Sequence, residues 1–261
     1  MKGLPALLLG GVTGLLSGLL GIGGGLVVGP SLALLGMPMG RALGTALWVV
    51  FPVATVAVLA ELWLAPAQML WWPALWIALG GQLGAPLGAS ILLRLPDYGL
   101  RYTFAFFLLW VGLRNLGFVG TETEGLQVSL LGLDSLGAFG LPLIAGTLGL
   151  VAGICSSLFG VGGGVIVVPG LLYLLSGFTF PAAAATSLLA MVPTAARGAW
   201  IARKQSRVDL PAIMGLVPSA IATTILAVWL RDFVIAPAVL TQIFGVFLLF
   251  VAWRVIRRNP A

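Results

Sequence analysis

Apolar stretches succeed one another along almost the whole chain, and short polar links such as ELWLAPAQ (61–68), RLPDYGLR (94–101) and TETEGLQVSLLGLD (121–134) cut them apart. A hydrocarbon core of about 30 Å takes roughly 20 helical residues to cross, and lipid offers the backbone no hydrogen-bond partner, so such stretches predict helices. The pattern reads as an all-α, polytopic membrane protein. Five segments lie at about 3–20, 24–36, 41–63, 67–94 and 98–118, and five more near 137–160, 164–176, 181–202, 208–230 and 234–256. The second segment is too short for a confident crossing. As helix it covers about 20 Å, so with its predecessor it forms either a re-entrant hairpin or two tilted, broken crossings.

The break between those two segments is a run of glycines, and it occurs twice. Residues 14–30 read GLLSGLLGIGGGLVVGP and residues 153–169 read GICSSLFGVGGGVIVVP. Gly14 and Gly153, Ser17 and Ser156, Gly21 and Gly160, Gly23 and Gly162, and Pro30 and Pro169 all stand 139 residues apart. Farther on, Thr45 matches Thr186 and Pro52 matches Pro193 at a spacing of 141, and LRYTFAFFLLWVGLR from Leu100 overlays LTQIFGVFLLFVAWR from Leu240 at 140. The chain is two copies of one five-segment unit: a first membrane repeat at 1–120, a linker at 121–136 and a second membrane repeat at 137–261. Three adjacent glycines break a helix where lipid would demand an unbroken one, so the break lines a cavity or lies inside protein. In transporters such broken helices mark the substrate site.

Composition agrees with this class. Hydrophobic residues make up 60% of the chain and charged residues 8%, with a mean hydropathy of +1.15, whereas soluble domains carry about 25% charged residues. The net charge of +6 does not point to nucleic acid, because the arginines stand at segment ends, as membrane insertion requires, and form no basic face. The single cysteine, Cys155, excludes an intramolecular disulfide. With no histidine in the chain, the usual metal-ligand spacings cannot be assembled, and no metal or cofactor is expected. Lys2 alone precedes the first apolar stretch, which belongs to the repeat, so a cleaved signal peptide is not expected.

Charge also orients the two copies. Arg203, Lys204 and Arg207 lie between the third and fourth segments of the second copy, and Arg257 and Arg258 follow its fifth. In the first copy the matching link, ELWLAPAQ, has no cation; Arg94 and Arg101 flank the next turn instead. By the positive-inside rule the same loop faces opposite sides in the two copies. Lys2 and Arg41 then fall inside and the linker with Glu122, Glu124 and Asp134 outside, which puts both termini in the cytoplasm. The expected architecture is an inverted-topology repeat in a prokaryotic-type inner membrane.

The paired LGIGGGLVVGP and FGVGGGVIVVP, the run Ala185-Thr186-Ser187 with its partner Gly44-Thr45-Ala46, and the repeated length resemble the sulfite exporter TauE/SafE family of membrane permeases. The resemblance covers nearly the whole chain. It implies export or permeation of small sulfur-containing anions such as sulfite, sulfoacetate or other organosulfonates. One departure concerns the fourth segment. In the first copy it has Gly80, Gly84 and Gly88 in small-xxx-small spacing, whereas the second copy runs AIATTILAVWL, so close packing is read for the first half and left open for the second.

A helix N-terminus leaves about four N–H groups unpaired and carries roughly half a positive charge, enough to hold an oxyanion without a cationic side chain. Gly21, Gly23, Gly24 and Gly25 precede one such helix and Gly160, Gly162, Gly163 and Gly164 the other. Hydroxyls at Ser17, Ser156, Ser157, Thr45, Thr186 and Ser187 could donate to the same anion. Glycines that serve only tight packing are the competing reading, and two matched triplets favour a site over it. Arg197, in PTAARGAW, lies deeper than a loop residue opposite Val56 of the first copy. It either donates to the anion or snorkels to the interface. Arg114 and Arg254 match near segment ends and read as anchors, Gln82 and Asn115 as contacts between helices, Cys155 as packing, and Trp63, Trp71 and Trp72 as part of an interfacial belt.

Glu61, Asp97, Asp209 and Asp232 all fall at expected segment ends, so no proton relay is named. An enzyme is not expected, since a serine or cysteine nucleophile has no histidine beside it. A non-transporting scaffold would not require two broken helices, while a passive anion channel could use the same cavity. The partners read from the sequence are a small anion and the lipid bilayer, with room for a homodimer and none for nucleic acid.

Overall fold

The computed structural model describes residues 4–92, 97–118, 140–159, 162–175 and 177–257. The linker at 121–136, with Lys2, Arg94, Gly160 and Arg258, lies outside the described residues. Helices α1 (Leu4–Leu20), α2 (Gly25–Leu34), α3 (Met39–Leu64), α4 (Trp71–Leu92) and α5 (Asp97–Asn115) are followed by α6 (Gly140–Phe159), α7 (Gly164–Leu174), α8 (Phe180–Lys204), α9 (Leu210–Phe233) and α10 (Pro237–Arg257). One 3₁₀ turn, Pro66–Gln68, joins α3 to α4. Each described helix falls on one of the ten expected segments. Among the described residues, Gly40–Leu64, Gly140–Leu158, Leu210–Phe233 and Pro237–Arg254 are long and apolar enough to cross a membrane.

The two sets of five helices interlock. α1 packs on α9 and α4 on α6, so the first helix of each set lies against the fourth of the other, while α3 packs on α8 and α5 on α10. Between membrane helices there is no hydrophobic drive, so association depends on how closely backbones approach. A methyl group on Gly14 would stand 1.9 Å from the Ala220 carbonyl oxygen, and one on Gly84 would stand 2.2 Å from that of Leu150. Close packing therefore occurs in both halves. The α9 sequence needs no glycine stripe of its own because Gly10, Gly14 and Gly18 of α1 supply it.

α3 and α8 run antiparallel. Trp48 Nε1 donates to the Ala199 carbonyl at 2.8 Å, Val50 clusters with Met191 and Ala195, and Ala54, Ala57 and Val58 cluster with Ala185 and Leu188. At one end of this pair stand Arg41, Arg203, Lys204 and Arg207; at the other stand Glu61 and Trp63. Aromatic anchors flank both ends: Trp63, Trp71 and Trp72 are exposed, and Lys204 and Arg257 lie over the rings of Trp200 and Trp253.

The short helices fold back on their predecessors. Gly24 sits beside Thr13 of α1, Gly163 beside Ala152 of α6, and Gly170 beside Leu148 of α6, so α7 advances as α6 recedes. At 1.5 Å per residue, α2 and α7 are only about 15 Å long, half the hydrocarbon thickness. Of the two arrangements open from the sequence, the packing is that of a hairpin.

Candidate functional site

Both hairpins turn on glycine. Gly24 (φ 71°, ψ −9°) caps α2 and Gly163 (φ 84°, ψ −20°) caps α7, each in the left-handed region that costs an L-residue roughly 1–2 kcal/mol. Helical bonding starts when Val27 and Val28 donate to the Gly24 carbonyl, and Ile166 and Val167 to that of Gly163. The amides of Gly25 and Leu26, and of Gly164 and Val165, come before those bonds and have no acceptor within their helices.

The two loops meet. A methyl group on Gly164 would lie 2.4 Å from the Gly21 carbonyl oxygen and 2.7 Å from Ile22 Cα. Gly23 and Gly162 both face the side chains of Val50 and Met191, which are themselves repeat mates at a spacing of 141. The Ser187 hydroxyl donates to the Gly21 carbonyl at 3.1 Å and ties α8 to the first loop.

Against the second loop lies a narrow recess of about 10 Å³, lined by Gly81, Gly153, Ser156, Gly162, Gly163, Gly164, Ser187, Met191 and Thr194 among others, a space about the size of one water. Among the described residues, no acidic side chain lines it. Ser156 is nearly buried. Its repeat mate Ser17 is fully buried and its hydroxyl has no hydrogen-bond partner, although leaving a buried polar group unpaired costs about 1–3 kcal/mol.

Not all the sequence candidates converge on this point. Thr45 accepts from the Asp209 amide at 3.0 Å and Thr186 from the Leu70 amide at 3.2 Å, so each threonine holds the start of a helix from the other set. Asp209 also caps α9 by accepting from the Ala212 amide and pairs with Arg41 at 3.2 Å. Ser157 donates to the Ala85 carbonyl and borders a second recess with Gly40, Gly44, Gln205 and Arg207. Arg197 is exposed and donates to Gln82 Oε1 at 3.2 Å, while Gln82 donates to the Pro193 carbonyl. Gly81 and Thr194, which line the main recess, are next to Gln82 and one helical turn from Arg197. Gly160 lies outside the described residues.

Three features escaped the sequence reading. Thr194 and Gly81 line the recess but belong to no motif. Arg207, read only as a topological signal, lines the second recess. Glu61 and Asp232 do fall at helix ends, yet they are buried around Arg231, a pairing between α3 and α9 that no local pattern announces.

The sequence profile described as "Sulfite exporter TauE/SafE" matches residues 1–115 and 145–261. Curated relatives include a "Probable membrane transporter protein" of Xylella fastidiosa strain 9a5c, 30% identical over 166 residues, which are 63% of this chain and 60% of the relative. Another of the same description, from strain Temecula1, is 30% identical over 168 residues, with the same shares covered. The chain thus spans about 60% of the length of these relatives. No solved structure matches it.

Proposed function

Because the chain belongs to the sulfite exporter TauE/SafE family, we propose that it is a multi-pass carrier that exports small sulfur-containing anions such as sulfite, sulfoacetate or other organosulfonates. The observation that carries this reading is the meeting of the two glycine loops beside a recess that has hydroxyls and no acid. The amides of Gly164 and Val165 would bind the anion's oxygens, with help from Ser156 and Ser187, and the N-terminal field of α7 would stabilise its charge. A sulfonate is fully ionised at neutral pH and needs no general acid. Ser17, buried and unpaired, is the equivalent donor at the first loop. It would take up the anion when the other half of the site closes.

Alternating access follows from the inverted repeat. Each hairpin returns to the side it left, so three further helices give each unit an odd number of crossings and opposite orientation. Both termini are then cytoplasmic, and the recess with Arg207 is the inner approach. Flux of radiolabelled sulfite and sulfoacetate from proteoliposomes tests the reading. Saturation with counter-transport is expected; flux linear in concentration without counter-transport would instead make the protein a channel, and no flux of either anion would reject the substrate class.

A further inference from the structure

Far from the Arg41 end of α3, three charged side chains are packed with almost no exposure: Glu61 at 1%, Arg231 at 0% and Asp232 at 2%. Arg231 Nε donates to Asp232 Oδ1 at 2.9 Å, Nη1 to the Gly18 carbonyl at 3.1 Å, and Nη2 to both Asp232 Oδ2, at 3.3 Å, and Glu61 Oε2. Two carboxylates thus converge on one guanidinium nitrogen, and one negative charge is left over. Glu61 Oε1 is buried with no partner at all. Like charges held this close and this deeply buried cannot both stay ionised cheaply.

Among the described residues, no other charge comes to their aid. Of the elements packed on α3, α1 and α2 have no ionisable residue and neither does the 3₁₀ turn. The cations of α8, Arg197, Arg203 and Lys204, lie toward its C-terminus, which antiparallel packing puts at the opposite end of α3. On α9, Asp209 is also at that opposite end, bonded to Thr45 and Arg41. Among the described residues, only Arg231 and Asp232 face Glu61.

We propose that Glu61 and Asp232 bind one proton between them, and that this proton couples proton movement to the anion cycle. The coupling half rests on the transport reading given above; the proton site does not. The proton neutralises the cluster and removes the attraction between Glu61 and Arg231. Arg231 keeps Asp232 on its own helix and Gly18 on α1, so it is the end of α3 that is released. Gly18 is three residues before Gly21 of the first loop, and Ser17 is its neighbour. Along α3, Pro52 lies between Glu61 and Val50, which touches both loops, and a proline without an N–H is a natural hinge.

Infrared difference spectra of the full chain in lipid, between acid and alkaline buffer, read the site without any anion. The wild type should show the carbonyl stretch of a protonated carboxyl that titrates. Glu61→Gln should lose it and Asp232→Asn should shift it. The sequence has three glutamates, so carbon-13 at glutamate carboxyls in the unmutated protein should move the band even if Glu61→Gln fails to fold. A wild type with no such band, or a band that ignores both the isotope and the variants, overturns the proton site. For the coupling, the probe is methanesulfonate in proteoliposomes. An imposed pH gradient should raise its accumulation several-fold in the wild type and leave Glu61→Gln, still able to equilibrate it, unchanged. Wild-type flux indifferent to the gradient overturns the coupling alone. If methanesulfonate, sulfite and sulfoacetate all fail to move, the coupling falls with the transport reading, and the infrared band still decides the proton site.

Discussion

Gly164 faces the carbonyl of Gly21 so closely that a methyl group on it would stand 2.4 Å from that oxygen. One residue opens a helix of the second unit and the other belongs to the broken loop of the first. Their contact joins two copies of a motif into one place. Neither copy alone brings two such loops together.

Gly164→Ala is the smallest change that tests this contact. The clash is with backbone, which has no rotamer to escape into, so flux should be lost, with an unfolding temperature lowered or the protein absent from the membrane. Gly146→Ala in α6, where nothing lies within 4 Å, should be neutral, or stabilising by about 0.5–1 kcal/mol. Thermal unfolding in detergent and flux at matched abundance measure both; equal behaviour of the two variants would remove the significance of the contact.

Gly163→Val and Gly24→Val probe the left-handed caps. Each forces a β-branched residue to φ near +84° or +71°, and transport should fall to background in both. Near-normal flux with equal protein in the membrane would return these glycines to a packing role.

The two threonines should behave as a pair. Thr45→Val and Thr186→Val each remove the acceptor of a half-buried amide that begins α9 or α4, a loss of about 0.5–1.5 kcal/mol. Thermal unfolding should show similar decreases, with anion affinity in the remaining folded protein unchanged. An affinity loss without a stability loss would put the hydroxyls in contact with substrate.

Those threonines show where the sequence was legible and where it was not. The ten segments and the two helix starts at Gly25 and Gly164 follow from apolar run length and from glycine's tolerance of positive φ, which are local properties. That Thr45 and Thr186 hold helix starts instead of lining the recess depends on which helix packs against which. The first helix of each unit lies against the fourth of the other, and apolar periodicity, uniform on all sides of a membrane helix, has no means of recording that choice. The Glu61–Arg231 pair is hidden for the same reason, since its partners are 170 residues apart. The α1–α9 packing was left open by the sequence because its glycines are all on one partner.

Arg197→Gln should weaken anion affinity more than Arg254→Gln. Arg197 bridges α8 to Gln82 beside the recess, while Arg254 is in the last turn of α10. Losing a charge-assisted contact costs about 1.5–3 kcal/mol, roughly a tenfold to hundredfold rise in Kd. Sulfite titration calorimetry on both variants measures it; unchanged affinity in Arg197→Gln makes the Gln82 bond purely structural.

Single cysteines introduced at Thr123 and Arg258 in a Cys155→Ser background test the orientation. The first should react with an impermeant maleimide in intact cells and the second only after permeabilisation. Equal protection of both would contradict the inverted repeat.

Crystals grown with selenite, the heavier analogue of sulfite, allow the anion to be located by anomalous scattering from selenium. The peak should lie within hydrogen-bond distance of the Gly164 and Val165 amides and of the Ser156 and Ser187 hydroxyls, or at the equivalent place by Gly25, Leu26 and Ser17. A peak at Arg207 or Arg197 alone, with both glycine loops empty, would contradict an anion site built from backbone amides.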